Sequence, residues 1–212
     1  GKGSVGNIFT KNNIKKIELK SEGVSTLSAR KIWFDTNVKR LNVENRGELL
    51  GNFGPNDKIL SINQSGSLEL KSYDISTHFD DEMILIEKHN PLKPISVIYF
   101  DGQKQNFYVK RFLIDKSFNK ISFISDHKDS YLEFVSTDWR PQIEIVYKKE
   151  KGKDRKTEIV SLEDFISIKG LKSFGNKLSS NKINNLNPLK PLEYIEEIIA
   201  AEIITDNIDI PL

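Results

Sequence analysis

The chain has 212 residues, of which 37% are hydrophobic and 29% charged, and it contains no cysteine. That composition suits a folded chain of one or two domains with a sizeable core, and it excludes disulfides and thiolate metal sites. No apolar run approaches the roughly 20 residues that span a bilayer, so no membrane partner is expected.

The formal net charge of +2 conceals a split: Pro191 to Leu212 hold six acids and no Lys or Arg, leaving residues 1–190 with 32 basic against 24 acidic side chains, a net of +8. A basic body with an acidic tail points toward a polyanionic partner. No signal peptide is visible, and the lack of cysteine fits a reducing cytosol. The first residue is Gly, not Met, and the chain reads as a piece of a longer protein.

In chain order, Lys15 to Lys20 alternates charged and apolar side chains as a half-buried strand does. Arg30–Phe34 and Val38–Val43 predict a hairpin around Asp35-Thr36-Asn37. Asn45-Arg46-Gly47 and Gly51-Asn52-Phe53-Gly54-Pro55 carry loop chemistry. Lys58–Ile62 and Ser67–Tyr73 predict a second hairpin across Ser65-Gly66, and Met83–Glu87 a short strand. Ile95–Phe100 and Gln105–Leu113 predict a third hairpin across Asp101-Gly102. Lys120–Ser125 with Ser130–Val135 predicts a fourth, and Gln142–Tyr147 with Thr157–Val160 a fifth across a basic loop. Helix signals are nearly absent until Leu192–Ile204, which suits a short amphipathic helix or a β-rich extension equally.

One motif occurs twice. Gly1–Ile14 reads GKGSVGNIFTKNNI and Gly170–Ile183 reads GLKSFGNKLSSNKI, with Gly1/Gly170, Ser4/Ser173, Gly6/Gly175, Asn7/Asn176, Asn12/Asn181 and Ile14/Ile183 in register. A unit that returns suggests a repetitive fold. With short strands, short loops and no long crossover, the expectation is all-β and propeller-like, with two hairpins per four-stranded blade. A β-sandwich is the alternative.

Catalytic constellations are missing from the sequence. His78, His89 and His127 are scattered where a zinc site needs clustered ligands. Asp80-Asp81-Glu82 reads as a solvated turn. Gly1-Lys2-Gly3-Ser4 lacks the glycine spacing of a phosphate loop, and no nucleophile elbow is present. The chain is therefore expected to be no enzyme by itself, with no cofactor and no metal.

The basic residues do form a pattern. Lys39-Arg40 and Lys110-Arg111 fall on the second strands of two hairpins, where alternation sends Lys and Arg to opposite faces. Residues 148–156 hold Lys148, Lys149, Lys151, Lys153, Arg155 and Lys156. Near the second copy of the repeat lie Lys169, Lys172, Lys177 and Lys182, and near the first lies Lys2. Cations spaced along successive blades could follow a phosphate backbone, giving affinity without base readout. The rival reading is a protein-binding propeller scaffold without nucleic-acid affinity.

The run from Gly1 to Asp35, with VKRLN at Val38–Asn42, NRGELLG at Asn45–Gly51 and DKILSINQSG at Asp57–Gly66, resembles the C-terminal domain of the A subunit of bacterial type II topoisomerases. It is similar to the A subunit of topoisomerase IV of the Bacteroidetes type, with the A subunit of DNA gyrase as the wider relative. The resemblance covers about residues 1–186 and is weaker over 119–163.

It implies a β-pinwheel of about three to four four-stranded blades, an incomplete ring cut at its N-terminal side, followed by the acidic tail 187–212. It also implies a non-catalytic module that binds and bends double-stranded DNA without sequence specificity, positioning it for strand passage. The parent would be an ATP-dependent type II topoisomerase whose cleavage residues lie elsewhere. Its partners would be the ATPase B subunit and the rest of the A subunit, in the bacterial cytoplasm at the nucleoid. Gly1-Lys2-Gly3 matches only the end of the gyrase Gln-Arg-Arg-Gly-Gly-Lys-Gly box, and Gly170-Leu171-Lys172 departs further, so the resemblance favours bending over chiral wrapping.

The acidic tail carries a separate expectation, that of folding onto the basic rim as a phosphate mimic or of serving as a plain solubilising end.

Overall fold

The structure, a computed structural model, describes residues 29–114, 120–150 and 154–193. In chain order its elements are β1 (Arg30–Asp35), β2 (Arg40–Asn42), β3 (Glu48–Phe53), β4 (Ile59–Asn63), β5 (Ser67–Lys71), β6 (Met83–Lys88), β7 (Ile95–Asp101) and β8 (Asn106–Phe112). Then follow β9 (Ile121–Ser122), β10 (Tyr131–Ser136), β11 (Gln142–Tyr147), β12 (Glu158–Ser161), α1 (Leu162–Phe165), β13 (Asn176–Lys177) and β14 (Ile183–Leu189). Among the described residues they form four antiparallel sheets, ordered β2-β1-β3, β6-β4-β5-β9, β10-β7-β8-β13 and β12-β11-β14. The molecule is nearly all-β and blade-like, as expected, and its sheets do not close into a barrel.

Each sheet is built on one hairpin. Asp35 and Asp101 start two of the turns by accepting main-chain N–H groups, Asp35 Oδ1 from Asn37 at 2.9 Å and Asp101 Oδ1 from Lys104 at 2.8 Å. Such local bonds fix the reversal and with it the strand register. A later strand then adds beside the first strand of each hairpin: β3 on β1, β6 on β4, β10 on β7 and β14 on β11.

The fourth position comes from the next unit along the chain. After β8 the chain returns to pair β9 with β5, Leu68 facing Ile121, and after β12 it returns to pair β13 with β8, Asn176 facing Val109. After β5 the same move leaves a single bridge, Arg40 to His78, on β2.

This arrangement corrects two expectations. Lys120–Val135 is not a hairpin, because β9 joins β5 while β10 joins β7. Nor does a blade contain two hairpins; each sheet has one hairpin and an outer strand, and the second and third sheets add a borrowed strand.

Two further strands escape a local reading. β3 runs through the stretch whose Gly and Asn suggested loop. Gly51, at φ 128, sits beside the register shift between Ile32 and Trp33, so the bulge absorbs what looked like a turn. β14 carries Pro188 and three Asn, and it pairs through β11 from Gln142↔Leu189 to Tyr147↔Ile183. The pairing therefore continues past residue 186. The strand expected at Lys15–Lys20, the first copy of the repeat, and the segment from residue 194 onward lie outside the described residues.

The sheets stack face to face through three apolar cores. Ile32, Phe34, Leu41, Phe53, Ile59 and Phe79 join the first two sheets. Leu60, Ile62 and Leu68 meet Ile95, Val97, Tyr99 and Phe112 between the second and third. Ile98 and Val109 meet Ile143, Ile145, Leu162 and Leu186 between the third and fourth. β7 thus sends Ile95, Val97 and Tyr99 one way and Ile98 the other, which is why it reads as a continuous apolar run. Each such side chain stabilises by about 1.5–3 kcal/mol relative to exposure.

Candidate nucleic-acid interface

Of the four cations expected on second strands, Arg40, Lys110 and Arg111 lie there, while Lys39 falls in the turn before β2, and the fold divides them. Alternation along β8 points Lys110 toward the second sheet and Arg111 toward the fourth. Both are inside: Lys110 is 3% exposed and Arg111 5%. Lys110 Nζ donates to the carbonyl of Leu171 at 2.7 Å and to that of Phe123. Burial lowers its pKa to about 8. Arg111 donates to the carbonyl of Trp139 at 2.6 Å, and Glu163 lies 3.9 Å away. Burial pulls the guanidinium pKa down, and Glu163 and then Asp164 oppose that. Glu163 also accepts from Arg140 Nε at 2.8 Å.

These two side chains are fasteners. Lys110 binds the segments after β9 and α1 to β8, and Arg111 binds the β10–β11 connection and α1. Placing them on a solvent-facing rim is therefore corrected, because the neighbouring sheets cover both faces of β8.

Lys39 and Arg40 lie at the other end of the stack, Lys39 in the β1–β2 turn and Arg40 on β2. Lys39 is half-buried with φ 53, and its carbonyl accepts from Phe79 N at 3.1 Å. Arg40 is exposed beside His78. Lys2, Lys151 and Lys153 lie outside the described residues.

The remaining cations gather around the strand lent by the fourth sheet. From Phe165 to Leu192 the sequence holds Lys169, Lys172, Lys177, Lys182 and Lys190 and no acid. All five lysines are exposed. The segment climbs the edge of β8 in steps: Lys169 N bonds to Arg111 O at 2.8 Å, Asn176 and Lys177 pair with Val109 and Tyr108, and Leu178 N bonds to Phe107 O at 2.9 Å. At the top, Lys148 N bonds to Lys182 O at 2.8 Å, which joins the lysine line to the loop holding Lys148, Lys149, Arg155 and Lys156.

Gly175 permits the close approach. Its φ is 93, and a Cβ there would lie 2.4 Å from the Val109 carbonyl oxygen. Phe174 anchors the segment, its ring 4.6 Å from that of Tyr108 and its carbonyl accepting from Tyr99 Oη at 2.7 Å. Lys104 Nζ lies 3.5 Å from the Phe174 ring centroid and adds an exposed cation beside the line.

The electrostatics suit an extended anion. Lys149 is paired with Asp154 at 3.0 Å, and Lys169 donates to Asn176 at 3.0 Å. No ion pair is formed by Lys172, Lys177 or Lys182 among the described residues. Their heads sit in water, where a phosphate can approach without desolvating a buried charge. No group of three His, Cys, Asp or Glu among the described residues could hold a metal ion.

Lys104 was missed by sequence reasoning because it is a lone cation in the β7–β8 turn, and only the borrowed strand places it beside Phe174.

A family model described as Topoisomerase C-terminal domain, Bacteroidota, matches residues 40–190. The chain belongs to that family. No curated protein matches the chain. The matched stretch of this topoisomerase C-terminal domain begins at Arg40 on β2 and ends at Lys190 just past β14, so it contains the second, third and fourth sheets whole. The lysine line lies inside it from end to end. Among the described residues of the domain, no helix is long and apolar enough to cross a membrane.

Proposed function

We propose that this topoisomerase C-terminal domain is a DNA-binding and DNA-bending module from the A subunit of a type II topoisomerase, closer in role to topoisomerase IV than to gyrase. It holds duplex DNA by its phosphates, without base readout, and presents it for strand passage. Cleavage belongs to other parts of the A subunit, ATP hydrolysis to the B subunit, so the module itself needs no cofactor. The setting is the bacterial cytoplasm, at the nucleoid.

The observation that supports this most is the acid-free stretch from Phe165 to Leu192, in which the segment carrying Lys169, Lys172, Lys177 and Lys182 follows the β8 edge to the basic β11–β12 loop. Exposed lysines without a carboxylate partner among the described residues suit a backbone that carries a charge at every phosphate.

The test is fluorescence anisotropy of a labelled duplex of about 40 base pairs titrated with the chain at several salt concentrations. Binding that weakens steeply with salt and is indifferent to sequence is expected. Absence of binding at about 50 mM salt would overturn the reading.

A further inference from the structure

Topologically equivalent connections in this fold carry opposite charges. The connection from β5 to β6, residues 72–82, holds Asp74, Asp80, Asp81 and Glu82 with no Lys or Arg, a net of −4. The connection from β8 to β10, residues 113–130, holds three acids and three lysines, a net of zero. The connection from β12 to β14, residues 162–182, holds Glu163 and Asp164 against four lysines, a net of +2, and Glu163 is occupied by Arg140.

The hairpin loops follow the same trend. Gln64–Gly66 is uncharged, Gly102–Gln105 holds Lys104, and residues 148–157 hold six cations and two acids. Charge thus rises steadily from the second sheet to the fourth.

The acids of the second sheet face water. Asp74, Asp80, Asp81 and Glu82 are all exposed. Asp80 pairs with Lys120 at 3.3 Å and accepts from Asn63 at 2.8 Å. Asp81 and Glu82 form no ion pair among the described residues. With a Debye length of about 8–10 Å at moderate salt, such carboxylates repel a phosphate laid against their own sheet but do not cancel the lysines two sheets away.

We infer that the duplex is carried on one half of the module, gripped along the lysine line of the β12–β14 connection and turned away at the acidic β5–β6 connection. This rests on the DNA-binding reading above and adds a direction to it. The path runs over the third and fourth sheets and ends at the second, so the bend is short, and the first sheet with Arg30, Lys31 and Arg40 takes no part.

Three variants of the full chain test this by anisotropy and hydroxyl-radical footprinting, with circular dichroism as the check of folding. Lys169→Glu/Lys172→Glu/Lys177→Glu/Lys182→Glu is expected to bind at least about tenfold more weakly and to lose about 3 to 4 from the logarithmic salt slope. The corresponding four Lys→Gln changes give a smaller loss in the same direction if the Glu variant misfolds. Arg30→Glu/Lys31→Glu is expected to stay within about twofold of the parent chain. Asp81→Lys/Glu82→Lys is expected to tighten binding and lengthen the footprint.

If Arg30→Glu/Lys31→Glu weakens binding as much as the lysine variant does, or if Asp81→Lys/Glu82→Lys changes neither affinity nor footprint, the direction is wrong while the DNA reading stands. If the parent chain does not bind at all at low salt, the DNA reading falls and takes this inference with it.

Discussion

Lys110 and Lys177 lie on adjacent strands, since Lys177 pairs with Tyr108, two residues from Lys110. One is 3% exposed and bonded to main-chain carbonyls; the other is exposed at a sheet edge. The difference is one of coverage. β8 is an inner strand with a sheet packed on each face, so its cations must find internal acceptors or remain unsatisfied at a cost of several kcal/mol. β13 is the borrowed edge strand, and its cations reach water. The same residue type one strand apart therefore either holds sheets together or remains available to a ligand.

Arg111→Ala should separate the two roles most sharply. It removes a charge-assisted bond to the Trp139 carbonyl and the packing of the stem, a loss of roughly 3 to 4 kcal/mol. Urea denaturation should show the drop, and the DNA salt slope of the folded variant should not move. A changed slope would mean that Arg111 reaches phosphate after all.

Lys110→Met should give a smaller, pH-dependent effect. The folded-state pKa of about 8 lies below the ordinary 10.5, so between those values the unfolded chain binds more protons and stability rises with pH. Below about pH 8 the parent carries the full cost of a buried charge; above 10.5 that cost is gone. The stability of Lys110→Met relative to the parent should therefore fall by about 2 to 3 kcal/mol between neutral pH and pH 10.5. A difference that is flat across that window would refute the buried-charge account.

The smallest expected effect, about 2 kcal/mol, belongs to Gly175→Ala, which forces a side chain into a left-handed conformation against the Val109 carbonyl. Because Gly175 seats the lysine strand, stability and DNA affinity should decline together, by denaturation and anisotropy respectively. Loss of stability with full affinity would show that the lysines act without the docked strand.

What was legible in the sequence was local. The β7–β8 hairpin follows from two apolar runs on either side of the Asp101-Gly102 turn, and the β4–β5 and β11–β12 hairpins follow from strand-like runs on either side of Ser65-Gly66 and the basic loop. Borrowed strands were not legible, because β9 and β13 are only two residues long and their partners lie more than 50 residues away. β3 was hidden by a bulge glycine. The opposite facing of Lys110 and Arg111 was readable from the period of two, but which element covers each face was not, since alternation along a strand names no partner. The lysines of the repeat were visible as a cluster; their alignment needed the ladder with β8.

Strand exchange also decides how the molecule meets a pull. A tug on residues 169–182 is delivered first to β8, in the sheet before the one that owns the segment. The rungs between β13 and β8 lie across the strands, so a force along the strand shears them together rather than peeling them one at a time. Tension on this edge is thereby shared by two sheets, and neither can be drawn away alone.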